Sequence, residues 1–322
     1  MKRVAAFLCA FMLCATVAMA APITFKLGHI AEPENPYGQG ADYFAKLVKE
    51  RSKGSIEIKV YPSSQLGNQR DLVEGLTLGT VDMTLTGTAV LGNFIPEVSL
   101  FDLPFLFRDV QHAYKALDTV GMELCKKGEQ RGMVTLAIWE NGIRHMTNNV
   151  RPIVTPADMK GLKFRVMEQP VYIEMMKALG ASPTPMAMSE LYTALQKGVI
   201  DGQENPLAHI ATKRFYEVQK FLSLSAHTYA PEPVLISTRA WKKLSKEQQD
   251  LMRKAAEDTR DWQRALCRTL EGKFLDTIKA SGKCQVNDNV DKKAFAEQTR
   301  SVWAIYSKRF GDANIKAVLA IQ

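Results

Sequence analysis

The sequence predicts an α/β protein of two lobes braced by one long helix, and three observations lead there. Strand-like alternation and helical spacing take turns along the chain in βαβαβ order, the sign of a parallel sheet with covering helices. Without an N-terminal export segment the chain is 322 − 20 = 302 residues long, too long for one typical core, so two domains are the default. Near the C-terminus, helical spacing runs on for longer than one domain ordinarily uses.

The export segment comes first. Lys2 and Arg3 precede an apolar run from Val4 to Met19, closed by Ala18-Met19-Ala20. Small residues at the first and third positions before a cut suit a signal peptidase, which predicts a signal peptide over residues 1–20 and a periplasmic mature chain. The run is shorter than the roughly 20 apolar residues of a spanning helix. Cys14 follows Leu13 rather than a small residue, against a lipid anchor. No later stretch reaches spanning length, so the mature chain is expected to be soluble. Loss of Lys2 and Arg3 takes the formal charge from +8 to 8 − 2 = +6. That mild excess helps attract anions, but no Lys/Arg block interleaves with aromatics as nucleic-acid binding requires. Cys125, Cys267 and Cys284 remain. An odd count leaves at least one thiol unpaired, with Cys267 and Cys284 a candidate pair in an oxidising compartment.

Ile23, Phe25 and Leu27 alternate with polar residues as a strand. Phe44, Leu47 and Val48 take helical spacing, stopped by Gly54. Ile56, Ile58 and Val60 form the next strand, Leu72, Val73 and Leu76 a helix, and Val81–Leu85 a third strand. Met133–Trp139 reads as a buried strand. Thr155-Pro156-Ala157-Asp158 offers a cap, a first-turn proline and a first-turn acid. Leu162, Phe164 and Val166 alternate with Lys163 and Arg165. A helix carrying Tyr172, Met175, Met176 and Leu179 stops at Gly180, and Ser189 caps another that ends near Gly198. Ser245 and Gln248 make a capping box, after which Leu251, Ala255, Trp262, Leu266, Leu270 and Phe274 hold helical spacing to about Ile278. The competing reading breaks this helix at Gly272. Internal repeats and low-complexity linkers are absent.

Catalytic signatures are missing. His29, His112, His145, His209 and His227 include no pair at i, i+4. The sequence holds no HExxH, no GxSxG elbow and no CxxC, and Gly38-Gln39-Gly40 does not extend into a phosphate loop. No catalytic residue, metal or cofactor is therefore expected. Paired carboxylates leave no signature, so a periplasmic enzyme using Glu140 or Glu204 on an organic acid stays open as an alternative.

Two segments look like binding machinery. Arg165 lies on the polar side of a predicted strand, where a guanidinium can hold a carboxylate through two parallel hydrogen bonds; an exposed surface ion pair is the plain alternative. In Asp201-Gly202-Gln203-Glu204-Asn205-Pro206, Asn205 fits a helix cap and Pro206 its first turn, offering free N–H groups to an anion.

The run from Gly180-Ala181-Ser182-Pro183-Thr184-Pro185-Met186 through Asp201-Gly202-Gln203-Glu204-Asn205-Pro206 to Phe221-Leu222 strongly resembles the solute-binding subunits of tripartite ATP-independent periplasmic (TRAP) transporters. Tyr61-Pro62-Ser63-Ser64-Gln65-Leu66-Gly67 and Leu103-Pro104-Phe105-Leu106-Phe107 resemble two more segments of that family. The resemblance covers essentially the whole mature chain. It implies a two-lobed, type II-like periplasmic binding protein that closes on an organic anion and docks on membrane permease subunits. The lobes are expected over 21–142 with 231–270, and over 143–230 with 271–322. The resemblance also implies that Arg165 pins the ligand carboxylate, with Asn205 and Arg144 as further contacts. Gly87 and Met188 stand where sialic-acid-binding relatives carry an acidic and an aromatic residue, which argues against sialic acid. Trp139-Glu140-Asn141-Gly142 is more like relatives that bind keto or hydroxy sugar acids, with C4-dicarboxylates and aromatic acids also open. Glu140 is read either as a hydroxyl acceptor or as a hinge residue. Asn68, Gln69, Glu168 and His29 are expected at the rim, and Tyr229 at the hinge or pocket. A monomer is expected. A ligand-presenting protein for a sensor kinase is the rival with the same fold.

Overall fold

The computed structural model describes residues 21–322; the expected signal peptide lies outside the described residues. Nine strands form one continuous sheet path: β1 (Ile23–Gly28), β2 (Ile56–Tyr61), β3 (Met83–Leu85), β4 (Met133–Asn148), β5 (Lys163–Val166), β6 (Ser182–Pro185), β7 (Gly202–Pro206), β8 (Phe221–Ser237) and β9 (Gln285–Asn287). Their order is β2-β1-β3-β8-β4-β7-β5-β6, with β9 beside β8.

The two halves of that path have the same design. In the first, β1 lies parallel to β2 and β3, and β3 runs antiparallel to the end of β8, Met83 opposite Ile236. In the second, β5 lies parallel to β6 and β7, and β7 runs antiparallel to the end of β4, Asn148 opposite Gly202. The first βαβαβ expectation is met in order. Strands β4 and β8 lie at the centre of the order and run through both halves, so they carry the chain between them. At ~3.3 Å per residue, a 16-residue strand spans ~50 Å, enough to serve both lobes.

These two strands pair with each other along their length, with register shifts at Thr135/Ala137, Glu140/Gly142 and Arg144/Met146. The middle shift falls where the lobes meet. A bulge sharpens local twist and bends the strand, and Gly142 accommodates it at φ 134°, a conformation side chains resist. The sequence reading stops this strand at Trp139 and assigns none to 221–237. The reason is that Glu140, Asn141, Arg144, His227 and Glu232 are polar yet buried, which erases the apolar signal.

Helix Lys246–Ala280 is continuous through Gly272 and spans both lobes. Its 35 residues reach ~50 Å at ~1.5 Å each. The Ser245/Gln248 capping box is present. Met252, Ala255 and Ala256 pack into the first-lobe core with Phe44 and Trp139, while Ile278, with Phe274 beside it, packs into a second-lobe core with Leu195, Phe215 and Leu222. At the crossing with β4, Gln263 clamps the backbone of Glu140 from both sides: Nε2 donates to its carbonyl at 2.7 Å and Oε1 accepts from its N–H at 3.0 Å.

Some local expectations change. Asn205 and Pro206 end strand β7, and the following helix starts at Leu207 with Pro206 as its cap residue. Asn205 is therefore a ladder residue opposite His145, not a cap. Thr155–Asp158 does form a capping box, but it closes only one 3₁₀ turn. Ser189 sits inside helix Met188–Gln196, one residue past its start. Cys125, Cys267 and Cys284 are separate buried thiols, so the candidate Cys267–Cys284 pair is not formed. The C-terminal segment bonds back to residues expected in the first lobe: Trp303 Nε1 donates to Pro104 O at 3.0 Å, and His112 Nε2 lies 2.9 Å from Val318 O.

Candidate functional site

Between the lobes lies a narrow cleft in which a water-sized sphere has about 20 Å³ of free room. Its second-lobe wall comes from the ends of β5 and β7 and its floor from the middles of β4 and β8. The first lobe contributes Ile30 and Gly87–Val90. Parallel strands point their C-terminal ends at the same crevice, which is why short strands suffice to gather these side chains.

Arg165 comes from β5 and is 2% exposed. Its Nε and Nη2 donate to the carbonyl of Met186 at 2.9 and 2.7 Å. Its Nη1 is buried without a partner, and the side chain lines the cleft. Burial pulls its pKa down to about 10, so it remains a cation at neutral pH. A buried cation with a free donor is costly unless an anion completes it.

Arg144 reaches the same cleft from β4 but is already occupied. Its Nε and Nη2 donate to the two carboxylate oxygens of Glu204, the Nη2 bond at 2.8 Å, and Nη2 reaches Asn205 Oδ1 at 3.2 Å. His227 Nε2 lies 3.1 Å from the same carboxylate. Burial opposes both charges, but the pairing wins: Arg144 is held above the ordinary guanidinium range and Glu204 below the ordinary carboxylate range. Asn205 donates in turn to Gln203 Oε1.

Asp102 is a third buried charge candidate. Its Oδ1 accepts from Thr88 at 2.9 Å and from Tyr172 at 3.5 Å, while Oδ2 has no partner. Burial raises it to about 7 against the hydrogen bond from Thr88. At the floor, Asn141 Nδ2 donates to Glu232 Oε2 at 2.9 Å. Glu232 is fully buried, and burial pushes it up to about 8. His29 falls to about 4 and His209 well below its ordinary value, each mainly through burial. Apart from Asp102, this part of the cleft is therefore polar and mostly uncharged at neutral pH.

Of the expected site residues, the structure brings Arg165, Asn205, Arg144, Met188 and Gln69 to this cleft. Asn68 and Glu168 join Gln69, Arg165 and Met188 around an adjoining outer cavity. There the Asn68 side chain caps helix Gln69–Leu78, and Glu168 spans the mouth: Asn93 Nδ2 donates to its carbonyl at 2.9 Å, and Arg70 pairs with its carboxylate at 3.5 Å. His29 lies beside the cleft, edge-on to Tyr37, with both ring nitrogens unpartnered. Two residues fall elsewhere. Glu140 turns to the bracing helix and pairs with Arg268 and Tyr114. Tyr229 lines a separate apolar cavity with Phe105 and Phe107. The reason is the period of two along a strand: their neighbours Asn141 and Ala230 face the cleft, so Glu140 and Tyr229 face away. The sequence reading misses Asp102, Asn141, Tyr172, His209 and Glu232. The usable signal was a lone acid or histidine inside an apolar run, as in Leu100-Phe101-Asp102-Leu103 and Leu207-Ala208-His209-Ile210.

Residues 27–309 match the family model DctP, bacterial extracellular solute-binding protein, family 7. The chain is 41% identical over 258 residues to the 2,3-diketo-L-gulonate-binding periplasmic protein YiaO of Escherichia coli K12, covering 80% of this chain and 78% of that protein. It superposes with a TM-score of 0.91 on a TRAP periplasmic solute-binding protein from Polaromonas sp. JS666 bound to D-erythronate, at 40% identity over 93% of this chain and 99% of that one. A TRAP periplasmic solute-binding protein from Sulfurospirillum deleyianum with bound succinate gives 0.89 at 37% identity, covering 94% and 100% of the respective chains.

Proposed function

The chain belongs to family 7 of the bacterial extracellular solute-binding proteins, and on that premise we propose that it captures a small hydroxylated monocarboxylate in the periplasm and delivers it to TRAP permease subunits. The observation that carries the reading is Arg165: a buried cation in the cleft with one N–H left over. A carboxylate supplies the missing acceptor and the missing charge together.

Charge balance favours one carboxylate over two. Arg144 is already matched by Glu204. The floor offers Asn141 and His209, with Glu232 bonded behind Asn141, all neutral at pH 7, which suits hydroxyls. The relatives named for 2,3-diketo-L-gulonate and D-erythronate support a sugar-acid ligand. The succinate-bound neighbour supports the dicarboxylate reading, which would need Arg144 to let go of Glu204. Closure follows if the ligand binds the closed state better than the open one. Export would proceed by cleavage after Ala20, checked by N-terminal sequencing of the periplasmic protein.

The test is a thermal-shift panel of D-erythronate, other aldonates, succinate and benzoate on ligand-stripped protein, with Arg165→Ala beside it. A ligand that binds only the native state raises the midpoint by mass action. Hydroxylated monocarboxylates should shift the wild type and not the variant. Equal shifts in both would remove the arginine anchor.

A further inference from the structure

We propose that Asn141, His209 and Glu232 form a subsite at the floor of the cleft that reads the hydroxyl groups of the bound acid, with Glu232 as its specificity-determining residue. This rests on the reading of the cleft as a carboxylate site.

Three observations support it. First, Asn141 Oδ1 and His209 Nδ1, on residues that line the cleft, and Glu232 Oε1, on the carboxyl bonded to Asn141, are all buried without partners. Natural interiors rarely leave such groups unpaired, because each costs free energy. A ligand bearing several hydroxyls, each both donor and acceptor, would satisfy them. Second, Glu232 lies directly behind the cleft lining, its Oε2 accepting from the lining residue Asn141 at 2.9 Å. Gly87 lines the cleft, and a Cβ placed on it would stand 3.5 Å from Glu232 Oε2. Gly87 thus lies between that carboxyl and the cavity without a side chain of its own, and Pro231, the chain neighbour of Glu232, lines the same cavity. Third, the set is neutral. Glu232 is bonded to Asn141 on β4, with Tyr37 and Arg144 within electrostatic reach; burial outweighs that cation and keeps the carboxyl protonated up to about pH 8. His209, beside Tyr37 at 3.4 Å, is held neutral by burial. A protonated carboxyl donates as well as accepts, which a carboxylate cannot do.

Two consequences separate this from a merely structural role. Hydroxyl discrimination should depend on position 232, and affinity should fall as pH rises past about 8, when an ionised Glu232 meets an anionic ligand. The experiment is calorimetric titration with D-erythronate and with butyrate, which has the same carbon count and no hydroxyls. The proteins are wild type, Glu232→Gln, Glu232→Leu and Asn141→Ala, at pH 7 and pH 9.5. Glu232→Leu should weaken erythronate about tenfold or more and butyrate less than about twofold, the cost of leaving buried hydroxyls unpaired. Asn141→Ala should do the same. Glu232→Gln, a neutral isostere, should bind erythronate at pH 7 within about threefold of wild type and lose the weakening at pH 9.5. Parallel losses for both acids, or a pH dependence that survives in Glu232→Gln, would overturn the subsite while leaving the carboxylate anchor standing. Failure of both acids to bind wild type at millimolar concentration would overturn the anchor and the subsite together.

Discussion

On the second-lobe wall of the cleft, charge is present and managed by pairing: Arg144 against Glu204, and Arg165 against a backbone carbonyl with one donor to spare. On the floor, where β4 and β8 cross between lobes, charge is suppressed by burial, and Glu232, His29 and His209 are all pushed to their neutral forms. Both regions are equally buried, so exposure does not distinguish them. The difference is whether a carboxylate has a direct ion pair. Glu204, paired with Arg144, stays ionised; Glu232, bonded only to Asn141, gives up its charge although Arg144 is within electrostatic reach, while Arg165 keeps its charge because burial lowers it only to about 10. One cleft thus offers a place for an anion and a place for hydroxyls.

Breaking the paired wall should have the largest effect. Glu204→Ala leaves Arg144 as a buried, unmatched cation and should cost about 3–5 kcal/mol of stability, read as a lowered urea midpoint. The shape-preserving Glu204→Gln should cost less and raise the affinity for succinate relative to D-erythronate, because the freed Arg144 then offers a second positive charge. If succinate does not gain, the pairing does not set the charge preference. Next comes Arg165→Ala, expected to weaken hydroxylated monocarboxylates by about a hundredfold or more. It should leave the ligand-free protein no less stable, since it removes a cation with an unsatisfied donor. A large loss of stability without ligand would mean that the Met186 carbonyl already satisfies it.

The same difference explains what could be read from the sequence. Strands β1 to β3, the helices between them and the bracing helix show in apolar periodicity, because they have one wet face and one dry face. The continuous helix through Gly272 was legible from its capping box and spacing. Arg165 and Asn205 were marked by local motifs and sit on short strands; Arg144, on the long strand β4, was marked only by the family resemblance, and the three fall together in the structure. The floor left no such mark. Asn141, His209 and Glu232 come from three distant segments, and none resembles a site alone. Strand β8 was invisible as a strand because His227, Thr228 and Glu232 are buried polar residues within it. Glu140 was noticed and its neighbour Asn141 was not, although one step along a strand decides which of them faces the cleft.

The suppressed floor can be tested by titration. Glu232 binds its proton more tightly folded than unfolded, so wild-type stability should fall as pH rises from ~4.5 through about 8 and then level off. Glu232→Gln lacks that loss. Its advantage over wild type should be near zero at pH 5, grow through pH 7, and reach on the order of 1–3 kcal/mol at pH 9. His29 acts in the opposite sense: held to about 4, it should withdraw stability as pH falls from ~6.5 toward 4 in both proteins. An unchanging difference between wild type and Glu232→Gln across this range would mean that Glu232 is ionised throughout, and the contrast between wall and floor would fail.

The smallest effect belongs to the mouth. Arg70 and Glu168 meet across it at 3.5 Å, with side chains 59% and 52% exposed. Water screens such a pair, so its attraction adds little to closure. The Asn93 bond to the Glu168 backbone, at 2.9 Å, does not depend on the carboxylate and would survive Glu168→Ala. Ligand release from Glu168→Ala, followed by stopped-flow fluorescence, should therefore quicken by less than about threefold, and 0.5 M salt should erase the difference. A tenfold or salt-resistant change would make the mouth a third region with its own electrostatics, in which an exposed pair holds the lobes together as firmly as a buried one.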